Sequence, residues 1–139
     1  MQSFTYHIFI SHVWRYSADY QHLLALLRGN HNFSFNDYSI SKEKSLTDQR
    51  IPNNRIRALL EEQIKHASVV LVPLGIYASY HKWIDVELSI AHHLNKPIIG
   101  IRPWGQEKLS ALRGIYCDEV VGWNTESITK AIYHHARAK

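Results

Sequence analysis

Only one cysteine, Cys117, occurs in the 139 residues. No internal disulfide can form, and a reducing, cytoplasmic setting fits. No apolar run approaches the ~18 residues a membrane-crossing helix needs, so no membrane contact is expected. The opening MQSFTYHIFISH has neither a basic stretch nor a cleavage site, and does not read as a signal peptide. Lys and Arg number 16 against 12 Asp and Glu, a net charge of +4 with the ten histidines counted neutral. No Lys/Arg-rich stretch interleaved with aromatics occurs, so nucleic acid is not expected as a partner. A weakly positive surface would equally attract a phosphate-bearing small molecule. GxGxxG, GxxxxGK[ST] and GxSxG are absent, which removes support for the usual dinucleotide, P-loop and esterase readings. HExxH and CxxC are absent too. His92–His93 and His134–His135 are adjacent pairs whose side chains diverge by ~100° on a helix; they read as solvated helix surface, and no metal is expected. Cys117, beside Asp118, reads as a partly buried small residue rather than a nucleophile.

Hydrophobic residues make up 45% and charged residues 20% of the chain, the balance of an ordinary globular protein. At this length a domain buries about 65–70% of its unfolded surface, enough for one core without staples. Residues 1–139 therefore read as one domain. Short apolar runs alternate with helical periods. Strands are expected over Tyr6–His12, Phe33–Ser39, Ser68–Gly75, Lys96–Trp104 and Glu119–Trp123. The third and fourth are apolar without alternation, as the buried centre of a parallel sheet requires. Helical stripes run through Tyr20, Leu23, Leu24 and Leu27, closed by Gly29, and through Ile56, Leu59, Leu60 and Ile64. A helix from about Lys82 to Asn95, a short helical segment near Gln106–Leu112, and a last helix capped by Asn124 complete the pattern. Ser39–Asn54 is polar and reads as a long loop. Such βα units predict an α/β, flavodoxin-like, doubly wound three-layer sandwich, its five parallel strands in the order 2-1-3-4-5. Ligands bind such folds at the carboxyl ends of strands one and three. Receiver domains share this architecture, but they need acidic residues where this chain has Ser11–His12 and Pro73–Leu74.

The stretch SYHKWIDVELSIAHHL, Ser79 to Leu94, has an unexpected residue in its middle. At ~100° per residue, Trp83, Ile84, Ile90, Ala91 and Leu94 fall on one side of the helix, with Glu87 at their centre. Asp85, Ser89, His92 and His93 fall on the other. A buried, unpaired carboxylate is costly, so Glu87 needs a partner or neutralisation. Either an arginine or a neighbouring loop supplies that partner, or the carboxylate lies on a cleft floor that a ligand completes. Trp83, one turn earlier on the same side, is either core or the wall of a pocket for a flat ring.

Several stretches, in order along nearly the whole chain, resemble TIR domains. HIFISHVWRYSADY resembles their first strand and loop, and FSFNDYS their second strand, ending in Asp37. Ser39–Asn54 resembles the BB loop. LVPLGIYASYHKWIDVELSIA resembles the end of strand three and the Trp-x-x-x-Glu-Leu signature. As a lone TIR-like domain, the chain is similar to bacterial TIR-like proteins of anti-phage defence, such as those of Thoeris systems. The resemblance implies cleavage of the nicotinamide–ribose bond of NAD, which is substrate rather than cofactor. It implies hydrolysis or synthesis of a cyclic ADP-ribose isomer or related nucleotide, a signal that switches on a second, effector protein. It places the catalytic carboxylate on Glu87, where a fixed negative charge stabilises an oxocarbenium-like transition state. Ser11, His12 and Trp14 fall where the family contacts ligand, Asp37 where a ribose hydroxyl or the loop is held, and Trp83 on the nicotinamide side. Ser79 corresponds to the helix start, as an N-cap. Val13 and Trp14 precede Arg15, where many enzymatic relatives have an arginine sooner, so no residue is assigned to the phosphates. TIR enzymes often complete their site on self-association, which predicts low activity for an isolated monomer. The alternative is a TIR scaffold that self-associates or binds partner proteins without chemistry; a third reading is nucleotide binding without turnover. A scaffold has no need of Glu87 in an apolar face, which separates it from the enzyme.

Overall fold

Five short apolar segments form a single parallel sheet: β1 (Thr5–Ile10), β2 (Ser34–Asp37), β3 (Val69–Pro73), β4 (Ile98–Ile101) and β5 (Glu119–Val121). In this computed structural model the described residues are 4–11, 19–38, 53–74, 77–102 and 117–137, with backbone alone for 19, 53, 73, 77–83 and 137. The strand order is β2-β1-β3-β4-β5, as expected. Four helices accompany the sheet among the described residues: α1 (Asp19–Arg28), α2 (Asn53–His66), α3 (Tyr77–His93) and α4 (Thr125–Arg137). The pleat splits the strand side chains between two cores. Tyr6, Ile8, Ile10, Val69, Leu71, Ile99 and Ile101 pack with α1 and α4. Phe9, Val70, Val72 and Ile98 pack with α2 and α3. Covering on both faces explains why β3 is apolar throughout: Val69, Val70, Leu71 and Val72 all have no exposed surface.

Helix ends follow local chemistry. Asn124 Oδ1 accepts a hydrogen bond from Ser127 N at 2.8 Å, the expected cap of α4. Past α3, Asn95 adopts the left-handed conformation with φ 58°. There Asn95 N bonds His92 O at 3.1 Å and Lys96 N bonds Ala91 O at 2.8 Å, a Schellman closure with asparagine in the position glycine usually takes. That closure ends α3 at His93, two residues before the expected boundary.

The start of α3 also differs from expectation. It begins at Tyr77 rather than about Lys82. Ser79 is therefore the helix's third residue, inside the first turn, and does not cap it. The apolar stripe read from the sequence begins only at Trp83, so it marks the helix late. Likewise α2 starts at Asn53, inside the segment expected as loop. Each strand is one to five residues shorter than the apolar run that announced it. The expected helical segment near Gln106–Leu112 and most of Ser39–Asn54 lie outside the described residues.

Candidate functional site

β1 and β3 are neighbours although α1, β2 and α2 separate them in sequence, so strand order reverses between them. Their carboxyl ends form the position where doubly wound sheets take ligands. Ser11 stands there, one residue past β1. Its backbone is still held by the sheet, with Ser11 N donating to Leu71 O at 2.9 Å. Side chains alternate along a strand, so Ser11 shares the face of Phe9, the face that α2 and α3 cover.

On α3, Glu87 lies among Ile84, Leu88, Ile90 and Ala91, all buried, while Asp85, Ser89, His92 and His93 are exposed. Glu87 is buried to 0% exposure, and so is Ser11. Ser11 Oγ donates to Glu87 Oε1 at 2.5 Å. That length falls in the range of a hydroxyl donating to a carboxylate, about 2.5–2.7 Å, roughly twice as strong as a neutral pair. A hydroxyl on the sheet thus meets the carboxylate that stood unexplained in the apolar stripe. The partner comes from 76 residues away, a distance no helical period can reveal. A local signal existed nonetheless. A serine ending an apolar strand in register with Phe9 must point its hydroxyl at the α2/α3 face, and Glu87 is that face's acid.

Asp37 stands apart from this pair. It ends β2 and faces Ile8 in the register, three residues short of Ser11, about 10 Å along the strand direction. Tyr20 OH on α1 donates to Asp37 Oδ2. The helical period shows Tyr20 as an apolar member of the α1 stripe, and its ring is buried with that core; its hydroxyl is the part a period does not show. Ser79 and Trp83 sit on α3, ahead of Glu87, their side chains outside the described residues. His12 and Trp14 lie outside the described residues altogether.

The remaining reactive side chains are accounted for otherwise. Burial first, and then the charge of Asp118, push the Cys117 thiol from 9.0 up to about 11, the opposite of an activated nucleophile. His135 is less solvated than expected: Nε2 lies 2.8 Å from Glu119 Oε1, tying α4 to β5. Among the described residues no group of three or more His, Cys, Asp or Glu is arranged to hold a metal ion. No helix among them is long and apolar enough to cross a membrane. Two clefts of about 640 and 470 Å³ are lined in part by α4, on the opposite sheet face from Glu87, and neither includes Ser11 or Glu87.

Residues 9–108 match the family described as Thoeris protein ThsB, TIR-like domain. No curated protein matches the chain. Among solved structures, the CMP N-glycosidase BcmB of Clostridium botulinum is similar, with 11% sequence identity and a TM-score of 0.46, over 91% of this chain and 98% of that one.

Proposed function

The chain belongs to the family of the Thoeris ThsB TIR-like domain, and from that premise we propose that it cleaves NAD to make an ADP-ribose-derived signalling nucleotide in anti-phage defence. The observation that carries the reading is the Glu87 carboxylate, enclosed at the carboxyl end of β1 and held by Ser11 at 2.5 Å. In this reaction the bond between the nicotinamide nitrogen and C1′ of the ribose breaks, and its electron pair leaves with the ring. Nicotinamide departs neutral, so no strong general acid is needed. Positive charge develops on C1′ and the ring oxygen. A preorganised carboxylate in a water-poor site stabilises that charge without reorganising. Water arriving at C1′ gives ADP-ribose; a nucleophile within the same molecule gives a cyclic isomer. Exclusion of water decides between them. His12, Trp14, Asp37 and Trp83 are assigned to the substrate by the family's pattern, with Trp83 against nicotinamide. The product would act on an effector protein.

Complete burial also bears on regulation. With 0% of Glu87 exposed, NAD reaches the carboxylate only after the shell around it opens. Low turnover by an isolated subunit fits this burial, and higher turnover on self-association is what the family resemblance implies.

The same burial favours a second reading, in which Glu87 is structural and the domain is a non-catalytic scaffold. Nucleotide analysis of cells expressing wild type or Glu87→Gln separates the two. The enzyme reading expects NAD to fall and a new ADP-ribose-type product to rise in wild type alone. Unchanged nucleotides in both strains, with the domain folded and assembled, select the scaffold.

A further inference from the structure

We infer that Ser11 is a positioning residue for the proposed reaction: it acts through Glu87, holding the carboxylate in place, and does not bind the substrate itself. The inference rests on the reading of Glu87 as catalytic. It departs from the family's pattern, which assigns the strand-one serine to ligand contact.

Three observations converge on it. First, Ser11 and Glu87 are both fully buried, so hydroxyl and carboxylate are enclosed together as a pair. Second, a serine hydroxyl has a single proton to donate, and here that proton is committed to Glu87 Oε1 at 2.5 Å. Third, the hydroxyl is carried by backbone that the sheet immobilises. Ser11 N bonds Leu71 O at 2.9 Å, and Ile10 pairs with Leu71 in the β1–β3 register. The donor therefore sits on backbone that the sheet holds, whereas an unattached glutamate side chain has three rotatable torsions. One hydrogen bond from fixed backbone removes much of that freedom and sets which carboxylate edge turns towards the reacting ribose. Outer-shell partners that orient metal ligands change activity by about 10–100-fold when removed, and a donor orienting a catalytic carboxylate should act in the same range.

The test is steady-state NAD cleavage by the assembled full chain, comparing wild type, Ser11→Ala and Ser11→Thr. Ser11→Cys, which keeps the volume and supplies a weak donor, stands in if Ser11→Ala does not fold. A positioning role expects kcat to fall about 10–100-fold in Ser11→Ala, with KM for NAD unchanged and kcat largely restored by the hydroxyl of Ser11→Thr. A rise in KM at constant kcat overturns it, because that pattern marks lost contact with bound substrate. Unchanged kcat and KM in folded Ser11→Ala overturn it as well. These outcomes are distinct from failure of the underlying reading, in which the assembled wild type itself shows no turnover and the positioning role falls with the reaction.

Discussion

Ser11→Ala deletes one oxygen from a fully enclosed pair, and the structure sets what that should cost. The lost bond runs from a hydroxyl to a carboxylate at 2.5 Å, with both residues at 0% exposure. Hydrogen bonds to charged groups contribute about 1.5–3 kcal/mol, and a buried acceptor left short of a donor costs about 1–3 kcal/mol. The void left by one oxygen is smaller than a methylene and adds little. Ser11→Ala should therefore destabilise the fold by about 2 kcal/mol. Glu87→Gln acts differently. Its amide keeps an oxygen that accepts from Ser11, now as a neutral bond of about 0.5–1.5 kcal/mol. It also removes the cost of holding a charge out of water. The two terms oppose, so the share of the Glu87→Gln change that passes through Ser11 and the buried charge should stay within about 1 kcal/mol. In the Glu87→Gln background, Ser11→Ala should cost about half of what it costs alone. Urea unfolding reads all four proteins, with the midpoint moving at constant m-value. For a chain of this length the single loss corresponds to a drop of about 6–10 °C in thermal midpoint. A cost below about 0.5 kcal/mol, the range of an ordinary surface change, refutes the reasoning. So does an equal cost in both backgrounds.

The thiol of Cys117 holds its proton more tightly than a free cysteine, at about 11 against 9.0. Iodoacetamide labelling of the native protein at pH 8 should run about 100-fold slower than for an exposed thiol and rise about tenfold per pH unit. The same shift gives the protonated thiol a stabilising share that is complete below pH 9.0 and lost as pH rises through about 11. Labelling at a free thiol's rate at pH 8 contradicts the burial. Gly100→Ala would place a Cβ 2.9 Å from Cys117 Sγ and 3.0 and 3.1 Å from the Leu74 methyls. This overpacking on β4 should cost about 1–3 kcal/mol in urea unfolding. Adding Cys117→Ala should recover part of it, and full additivity of the two changes would exclude the contact.

Much of this architecture can be read in the chain because two faces of a parallel sheet must both be covered. That requirement makes SVVLVPLG a buried strand, and helical periods of different phase mark α1, α2 and α4. Boundaries are another matter. The apolar stripe is read only from Trp83 onward, so the sequence starts α3 late, after its first turn at Tyr77. The stop after His93 depends on Asn95 in a left-handed conformation, which asparagine permits without announcing. The candidate site is legible in one half: Glu87 stands out because a carboxylate interrupts an apolar face. Its donor shows only a face: Ser11, in register with Phe9, points at the α2/α3 side, but the approach of α3 to β1 that pairs it with Glu87 is a tertiary fact. The Tyr20–Asp37 and His135–Glu119 contacts were hidden for the same reason.

The central claim is chemistry at Glu87, and NAD consumption with mass analysis of the products measures it directly. Wild type and Glu87→Gln are compared at high protein concentration, where self-association is favoured. Turnover in wild type and its loss in a Glu87→Gln protein of wild-type stability is the predicted result, and the product mass distinguishes ADP-ribose from a cyclic isomer. Equal turnover in both, or none in an assembled wild type, contradicts the claim.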